Sequence, residues 1–306
     1  MTTNKIGDNE DYSSPVDAIN KNILRKKPIL DRDPQFYNGV PLPSWIELSL
    51  IDTCNRSCLF CPKSNDEIAP NTHNKIERSL VDKLYKDLKE INYNGAFSLC
   101  GYGEPLLYKD LYYLTSKLSE LGSIEIVTNG DPLTKDKLIE LYNSKISTIV
   151  ISMYDGPEQA LKFHDMISES GVNKDFVILR DRWQDSNSVF GDYIGNRAGT
   201  VAVGNHQAEV KNFVKKKCFY TAYQIMIDWN GDTFLCPHDW NRRVSMGNIM
   251  QKKIIDIWSG NSLTNYRKKL LEGDRNINPC NKCNISGTVH GEKHSAAWNN
   301  FYKIKT

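Results

Sequence analysis

The chain has 306 residues, 40% of them hydrophobic and 25% charged, enough for one full domain and a smaller one. A net charge of +2 argues against a general nucleic-acid binder, and no apolar run reaches the ~18 residues of a membrane span. The N-terminal stretch, with Asp8, Glu10 and Asp11 and no apolar segment, does not read as a signal peptide. Eight cysteines in a chain without export signals therefore point to metal ligands and a reducing cytoplasm rather than to disulfides.

In chain order, Met1 to Pro43 is polar and interrupted by Pro15, Pro28, Pro34, Pro41 and Pro43, which predicts an extended arm over residues 1–44. A βα alternation follows. Strands are predicted at Trp45 to Ile51, Ala96 to Cys100, Ile124 to Val127, Ile146 to Met153 and Phe176 to Leu179. Helices are predicted at Leu80 to Ile91, Leu111 to Leu121, Lys135 to Tyr142 and Pro157 to Ser170. Such alternation implies an α/β fold on a parallel sheet. A sixth short strand is expected at Thr200 to Val203, which gives an α/β domain over residues 45–205 and a smaller α+β domain over 206–306. Six units are too few to close a TIM barrel. In barrels of this kind ligands gather at the C-terminal ends of the strands, and the candidate residues follow strands.

The first strand leads into Cys54, Cys58 and Cys61, a C-x3-C-x2-C run. Three thiolates can hold three irons of a 4Fe–4S cube and leave one iron open for a small molecule. The bland alternative is a closed zinc site, for which His73 is the nearby fourth ligand. Gly101-Tyr102-Gly103-Glu104-Pro105 follows the second strand, Thr128-Asn129-Gly130 the third, and Ile151-Ser152-Met153 lies in the fourth. Cys100 is flanked by apolar residues and reads as buried packing.

The stretch Asp181 to Gly199 offers Arg182, Trp183, Tyr193 and Arg197 among loop-forming glycines and reads as a pocket-lining loop. Cys218, Cys236, Cys280 and Cys283 form a second four-thiolate set. Tyr223 to Asp228 and Asp232 to Leu235 flank Asn230-Gly231, a hairpin that brings Cys218 and Cys236 together. A helical pattern from Ile254 to Leu271 then returns the chain so that Cys280 and Cys283 close the site. Zinc, disulfides and a 4Fe–4S cluster all suit four thiols. Lys215, Lys216 and Lys217 beside Cys218 are either a solvated face or a landing site for an acidic electron carrier.

The cysteine triplet, with Phe60 just before its third member, the Gly101 to Pro105 segment, Thr128-Asn129-Gly130 and the second cysteine set resemble, in this order, the radical S-adenosylmethionine (SAM) enzymes with a twitch domain, the shortened SPASM domain. The resemblance implies a partial (β/α)6 barrel, SAM and two 4Fe–4S clusters, one held by Cys54, Cys58 and Cys61 and one by Cys218, Cys236, Cys280 and Cys283. It implies Phe60 beside the adenine, Gly101, Tyr102, Gly103 and Glu104 around the methionine amine, and Thr128, Asn129 and Ser152 as further SAM contacts. Arg197, within Ile194-Gly195-Asn196-Arg197-Ala198-Gly199, matches an arginine facing substrate. His238 is the expected general base, with Asp239 in reserve and Asp155 a further carboxylate near the barrel mouth. Val127, Pro237 and His238 depart from a family pattern of Tyr, Phe and Glu.

The implied activity is reductive cleavage of SAM to a 5′-deoxyadenosyl radical and oxidation of an alcohol carbon in a small polar, sugar- or aminocyclitol-like substrate. The substrate electron would pass to the second cluster, and a flavodoxin or ferredoxin would supply the first. Two other readings remain: a radical SAM enzyme that crosslinks or epimerises ribosomal peptides, and a non-catalytic iron–sulfur or zinc protein. No membrane or nucleic-acid partner is expected.

Overall fold

Eight strands form one sheet in the order β10-β9-β8-β3-β4-β5-β6-β7. A computed structural model describes residues 15–182, 195–201 and 215–305. A two-residue ribbon, β1 (Phe36–Tyr37) and β2 (Val40–Pro41), precedes the sheet and turns at Asn38-Gly39, both with positive φ. This is an Asn-Gly hairpin turn that the proline count had obscured. The sheet strands are β3 (Trp45–Ser49), β4 (Ala96–Cys100), β5 (Ser123–Thr128), β6 (Thr148–Met153), β7 (Val177–Asp181), β8 (Gln224–Ile227), β9 (Asp232–Phe234) and β10 (Ser245–Asn248). β3 to β7 pair in parallel, and β8 joins β3 in parallel on the far side.

That pairing corrects the expected sixth strand. Thr200 and Val201 lie outside any strand, and the remainder of that segment falls outside the described residues. The sixth parallel strand is instead β8, the first arm of the predicted hairpin, which turns at Gly231 into antiparallel β9. The sheet therefore runs without a break from the barrel into the C-terminal cysteine region.

Alternation divides each strand between two faces. Ile46, Leu48, Phe97, Leu99, Ile124, Ile126, Ile149 and Ile151 join the buried core, which the helices α2 (Arg78–Glu90), α3 (Leu111–Leu118), α4 (Lys135–Asn143) and α5 (Pro157–Ser170) help to build. α2 shows the pattern: Leu80, Val81, Leu84 and Leu88 are buried on one stripe. The inner face is polar, with Glu47, Ser98, Cys100, Ser152, Arg180 and Gln224 lining a cavity.

The N-terminal arm is not extended throughout: Pro15–Leu30 forms a helix, α1. Pro15 takes the first position, where a missing N–H is harmless, and Pro28 falls in the last turn, so the residues between are free of proline. Tertiary contacts hold it. Arg25 reaches Glu125 at 2.5 Å and Lys26 reaches the same carboxylate at 3.2 Å, while Leu30 packs with Trp45, Ala96 and Tyr223. α1 thereby walls one side of the cavity through Asn22, Ile23 and Lys26.

C-terminally, a short helix α6 (Tyr220–Tyr223) leads into β8. The predicted single helix is two, α7 (Ile254–Trp258) and α8 (Asn261–Glu272), broken at Gly260. A last helix, α9 (Glu292–Lys305), was not anticipated. It buries Trp298 against Trp258, and the guanidinium of Arg267 lies 3.6 Å over the Trp298 ring. No helix among the described residues is long and apolar enough to cross a membrane.

Candidate active site

A cavity of about 540 Å³ lies inside the partial barrel, and Cys54, Cys58 and Cys61 line it together with Phe60, Glu104, Thr128, Asn129 and Ser152. The cysteine loop leaves the end of β3 and is tied down by its own polar side chains. Lys63 is buried, and its ammonium donates to the carbonyls of Asp52 and Pro70 and to Asn71 Oδ1. Arg56, between the first two cysteines, donates to Asp131 at 2.6 Å from both Nε and Nη2, and to Asp155 at 2.7 and 2.5 Å. Asp155 thus clamps the cysteine loop rather than standing free at the barrel mouth. Burial, then the neighbouring Cys61 and Cys54, push the Cys58 thiol up to about 12, so the three sulfurs share one neighbourhood.

The glycine segment is pressed onto that loop. A Cβ on Gly103 would stand 2.1 Å from the Ile51 carbonyl oxygen, so only glycine fits, and Glu104 N donates to Thr53 O at 2.9 Å. The Glu104 carboxylate is buried and accepts from Leu106 N (3.0 Å), Thr128 Oγ1 (2.6 Å) and Asn129 N (2.9 Å). Burial raises its pKa, and none of these donors carries positive charge. A buried carboxylate of this kind lacks a cation, and an ammonium is the group that fits it. Asn129 Nδ2 sits 3.8 Å from Cys54 Sγ and 2.8 Å from Asn55 Oδ1. Phe60 stacks on Tyr154 with ring centroids 5.4 Å apart. Tyr102 lines the cavity, but its ring is committed to packing on Trp240 (4.8 Å) and Phe234. Ser152 Oγ accepts from Arg180 at 2.7 Å.

Arg197 and His238 line the same cavity. Burial, reinforced by the Arg197 charge, lowers the His238 pKa to about 3, so the ring is neutral at ordinary pH. Arg197 Nη1 lies 3.4 Å from His238 Nδ1. A guanidinium can only donate, so Nδ1 accepts and the ring presents Nε2–H. His238, the expected general base, can in this tautomer donate Nε2–H to a substrate oxygen. Asp239, the reserve candidate, is displaced from that role. It has no exposed surface, accepts from Val244 N at 2.9 Å and pairs with Arg243 at 3.3 Å, all within its own turn. Cys100 is likewise not apolar packing, since its sulfur is 3.3 Å from Ser98 Oγ on the polar face.

A smaller apolar cavity adjoins the first and is bordered by Cys218, Cys236, Cys280 and Cys283. Tyr220, His238 and Ile285 line both cavities. Buried Arg275 donates to the carbonyls of Lys216 (2.8 Å), Lys217 (2.7 Å) and Ile285 (2.7 Å), which fixes the segments on either side of Cys218 and Cys283. No group of three or more His, Cys, Asp or Glu among the described residues is closed around a single metal ion. The four thiols border a space instead.

Two family models match in the order of these two cavities. The radical SAM superfamily covers residues 48–178, and the SPASM iron–sulfur cluster-binding domain covers 218–284. The chain belongs to the radical SAM enzymes. It is 28% identical over 246 residues to the S-adenosyl-L-methionine-dependent 2-deoxy-scyllo-inosamine dehydrogenase of Niallia circulans, covering 79% of this chain and 92% of that protein. The crystal structure of BtrN in complex with AdoMet and 2-DOIA superposes with a TM-score of 0.70 at 28% identity, over 83% of this chain and 98% of BtrN. SuiB of Streptococcus suis bound to its precursor peptide SuiA matches at a TM-score of 0.54 and 17% identity, over 92% of this chain and 78% of SuiB, which is likeness of fold alone. As a radical SAM enzyme with a SPASM domain, the chain binds SAM and a 4Fe–4S cluster.

The sequence signal that was missed is Glu47. Alternation in Trp45–Ser49 turns it inward, away from Ile46 and Leu48, and a glutamate in mid-strand of a parallel sheet calls for a polar partner or a polar site. It lines the cavity, and its Oε2 accepts from Gln224 Nε2 at 2.8 Å. The residue pairs Trp183 and Tyr193 of the expected pocket loop lie outside the described residues.

Proposed function

We propose that this radical SAM enzyme oxidises an alcohol carbon of a small polar substrate to a ketone. The observation that carries this reading is the shared wall: Tyr220, His238 and Ile285 separate the cavity of the three cysteines from that of the four. Substrate in the first cavity would then lie within one layer of side chains of a second cluster. The match to an iron–sulfur cluster-binding domain over the segment that holds the four thiols favours a cube of four irons over one tetrahedral zinc. Bound at these two sets, the clusters and SAM would supply a 5′-deoxyadenosyl radical for hydrogen-atom abstraction and an acceptor for the remaining electron.

The chain's own contributions follow from charge and shape. Glu104 would take the methionine ammonium that its buried carboxylate lacks, with Phe60 and Tyr154 as flat faces for the adenine. The Gly101 to Gly103 backbone, Thr128, Asn129 and Ser152 would complete the SAM contacts. Arg197 and the His238 Nε2–H would meet substrate oxygens. The hydroxyl proton needs an acceptor, and Glu47 is the cavity carboxylate that suits this: burial raises its pKa, bringing it closer to neutrality. The side chains of Lys215, Lys216 and Lys217 are exposed beside Cys218, which suits an acidic flavodoxin- or ferredoxin-type partner.

The test is an anaerobic assay of the reconstituted enzyme with SAM, dithionite and alcohols deuterated at the carbinol carbon. The expected result is ketone and deuterated 5′-deoxyadenosine in about equal amounts. A product of unchanged oxidation state with solvent deuterium at that carbon would instead establish epimerisation.

A further inference from the structure

The open side of the partial barrel lies between β7, the last strand of the sheet, and β8, at the other end of its parallel run. The helix α1 crosses it. It packs on β7, and its last residue, Leu30, packs with Trp45 and with Tyr223 of α6, the turn that leads into β8. Asp31, directly after α1, accepts from Gly291 N at 2.6 Å and meets His290 Nδ1 at 3.0 Å, while Asp33 pairs with Lys293 at 2.7 Å. Asn22, Ile23, Lys26 and Leu30 line the cavity from this side, beside Val289 and His290. Neither α1 nor the segment after residue 284 belongs to the regions that match the two family models, 48–178 and 218–284.

Charge holds this helix more than apolar burial does. From Asn20 to Leu30 only Leu30 is buried, and Leu24 is 66% exposed. Arg25 and Lys26 reach through to Glu125 on the inner face of β5, at 2.5 and 3.2 Å, and Lys26 lies 4.6 Å over the Trp45 ring. Burial works to raise the Glu125 pKa, but Lys26 and Arg25 outweigh it and keep the carboxylate charged. The fastening is nevertheless incomplete, since Arg25 Nε and Glu125 Oε1 have no hydrogen-bond partner. A segment with so little buried apolar surface, held by partly exposed ion pairs, opens at lower cost than the sheet it covers. With SAM at the cysteine end of the cavity, a substrate needs a way in from another side.

We propose that α1 is a strap that lifts from Glu125 to admit a small polar substrate through the open side of the barrel and then closes over it. The inference requires that this cavity hold SAM and substrate, and it is independent of whether the substrate is oxidised.

The test uses Cys100, which lines the cavity and is the cysteine left over when seven are assigned to clusters. In the anaerobically reconstituted, SAM-saturated enzyme, alkylation of Cys100 by iodoacetamide, followed by peptide mass spectrometry against glutathione in the same buffer, reads access past α1. Glu125→Gln removes the charge shared by Arg25 and Lys26 and should speed labelling about tenfold. Sodium chloride at about 1 M should speed it in the wild type and little in that variant. Asp31→Asn loosens the fastening to His290 and Gly291 and should give roughly a two- to threefold increase. Leu24→Ala, at an exposed position of the same helix, should leave the rate unchanged. Unaltered iron content and SAM affinity separate lifting of α1 from unfolding of the barrel, and if Glu125→Gln loses iron, Asp31→Asn and the salt series decide. Wild-type rates in Asp31→Asn and at high salt would overturn the proposal, as would a wild-type rate in Glu125→Gln with both clusters intact. Faster labelling in an enzyme found to epimerise its substrate would leave the strap standing and reject the oxidation alone.

Discussion

A buried cation on backbone carbonyls helps to fasten both cysteine regions, Lys63 in the first and Arg275 in the second, but the rest of their support differs. The loop of Cys54, Cys58 and Cys61 spans a few residues, lies on the cavity, and is fastened by partly exposed charge: Arg56 on Asp131 and Asp155, with side-chain exposures of 20%, 30% and 57%. Cys218, Cys236, Cys280 and Cys283 come from separate segments around an apolar space, and are fastened by buried cations. Arg275 clasps three carbonyls, and Arg267 holds Thr221 O and Trp258 O between two tryptophan rings. A site that must admit a small molecule stays open on one side and is organised by neighbours in sequence. A site that, as proposed, only moves electrons can be enclosed, and it then depends on the whole C-terminal fold.

The largest effects should come from removing one set at a time. Reconstituted protein should hold about eight irons, and Cys54→Ala, Cys58→Ala, Cys61→Ala about four, with SAM cleavage abolished. Cys280→Ala, Cys283→Ala should keep SAM cleavage but form no ketone. Zinc in the first variant, by elemental analysis, would make the C-terminal set a structural metal site.

Arg275→Met tests the enclosed region without touching a thiol. Three partly buried carbonyls lose their donor, each at a cost of up to about 1–3 kcal/mol. The expected outcome is a fall in melting temperature and loss of about four irons, with SAM cleavage retained. Retention of both clusters at wild-type melting temperature would show that the C-terminal set does not depend on this buried guanidinium.

Glu104→Gln addresses the open region. It preserves shape but removes the charge proposed for the ammonium, so SAM affinity should weaken by ~1.5–3 kcal/mol, roughly ten- to hundredfold. Calorimetry with unchanged iron content checks it, and unaltered affinity would reject the assignment. The smallest effect is expected for Arg56→Gln. Pairs this exposed contribute about 0–1 kcal/mol, so the melting temperature should hardly move, and less at high salt.

How far these regions could be read beforehand follows the same division. The cysteine triplet, Gly103-Glu104 and Thr128-Asn129 were legible because each sits directly after a strand in a short segment, and local spacing carries the chemistry. The helix α1 was misread because five prolines suggested breakage, although Pro15 and Pro28 lie at the ends, where a helix tolerates them, and Arg25 and Lys26 have a partner in Glu125 about a hundred residues away in sequence. The sixth strand was placed at Thr200 because βα alternation predicts order along the chain, whereas pairing with β3 depends on which segment returns to its free edge.

Period, spacing and turn chemistry in the sequence alone determined the βα order, the Asn230-Gly231 hairpin and the grouping of seven cysteines into three and four, because each depends on residues near one another in the chain, and the class of enzyme followed from the resemblance of those motifs to a known family. Only the tertiary structure decided the contact of His238 with Arg197, the engagement of Asp239 in its own turn, the inward carboxylate of Glu47 and the bond from Arg180 to Ser152. A proton's affinity and a charge's partner are set by burial and by neighbours from distant segments, and those neighbours meet only once the sheet has joined the two regions.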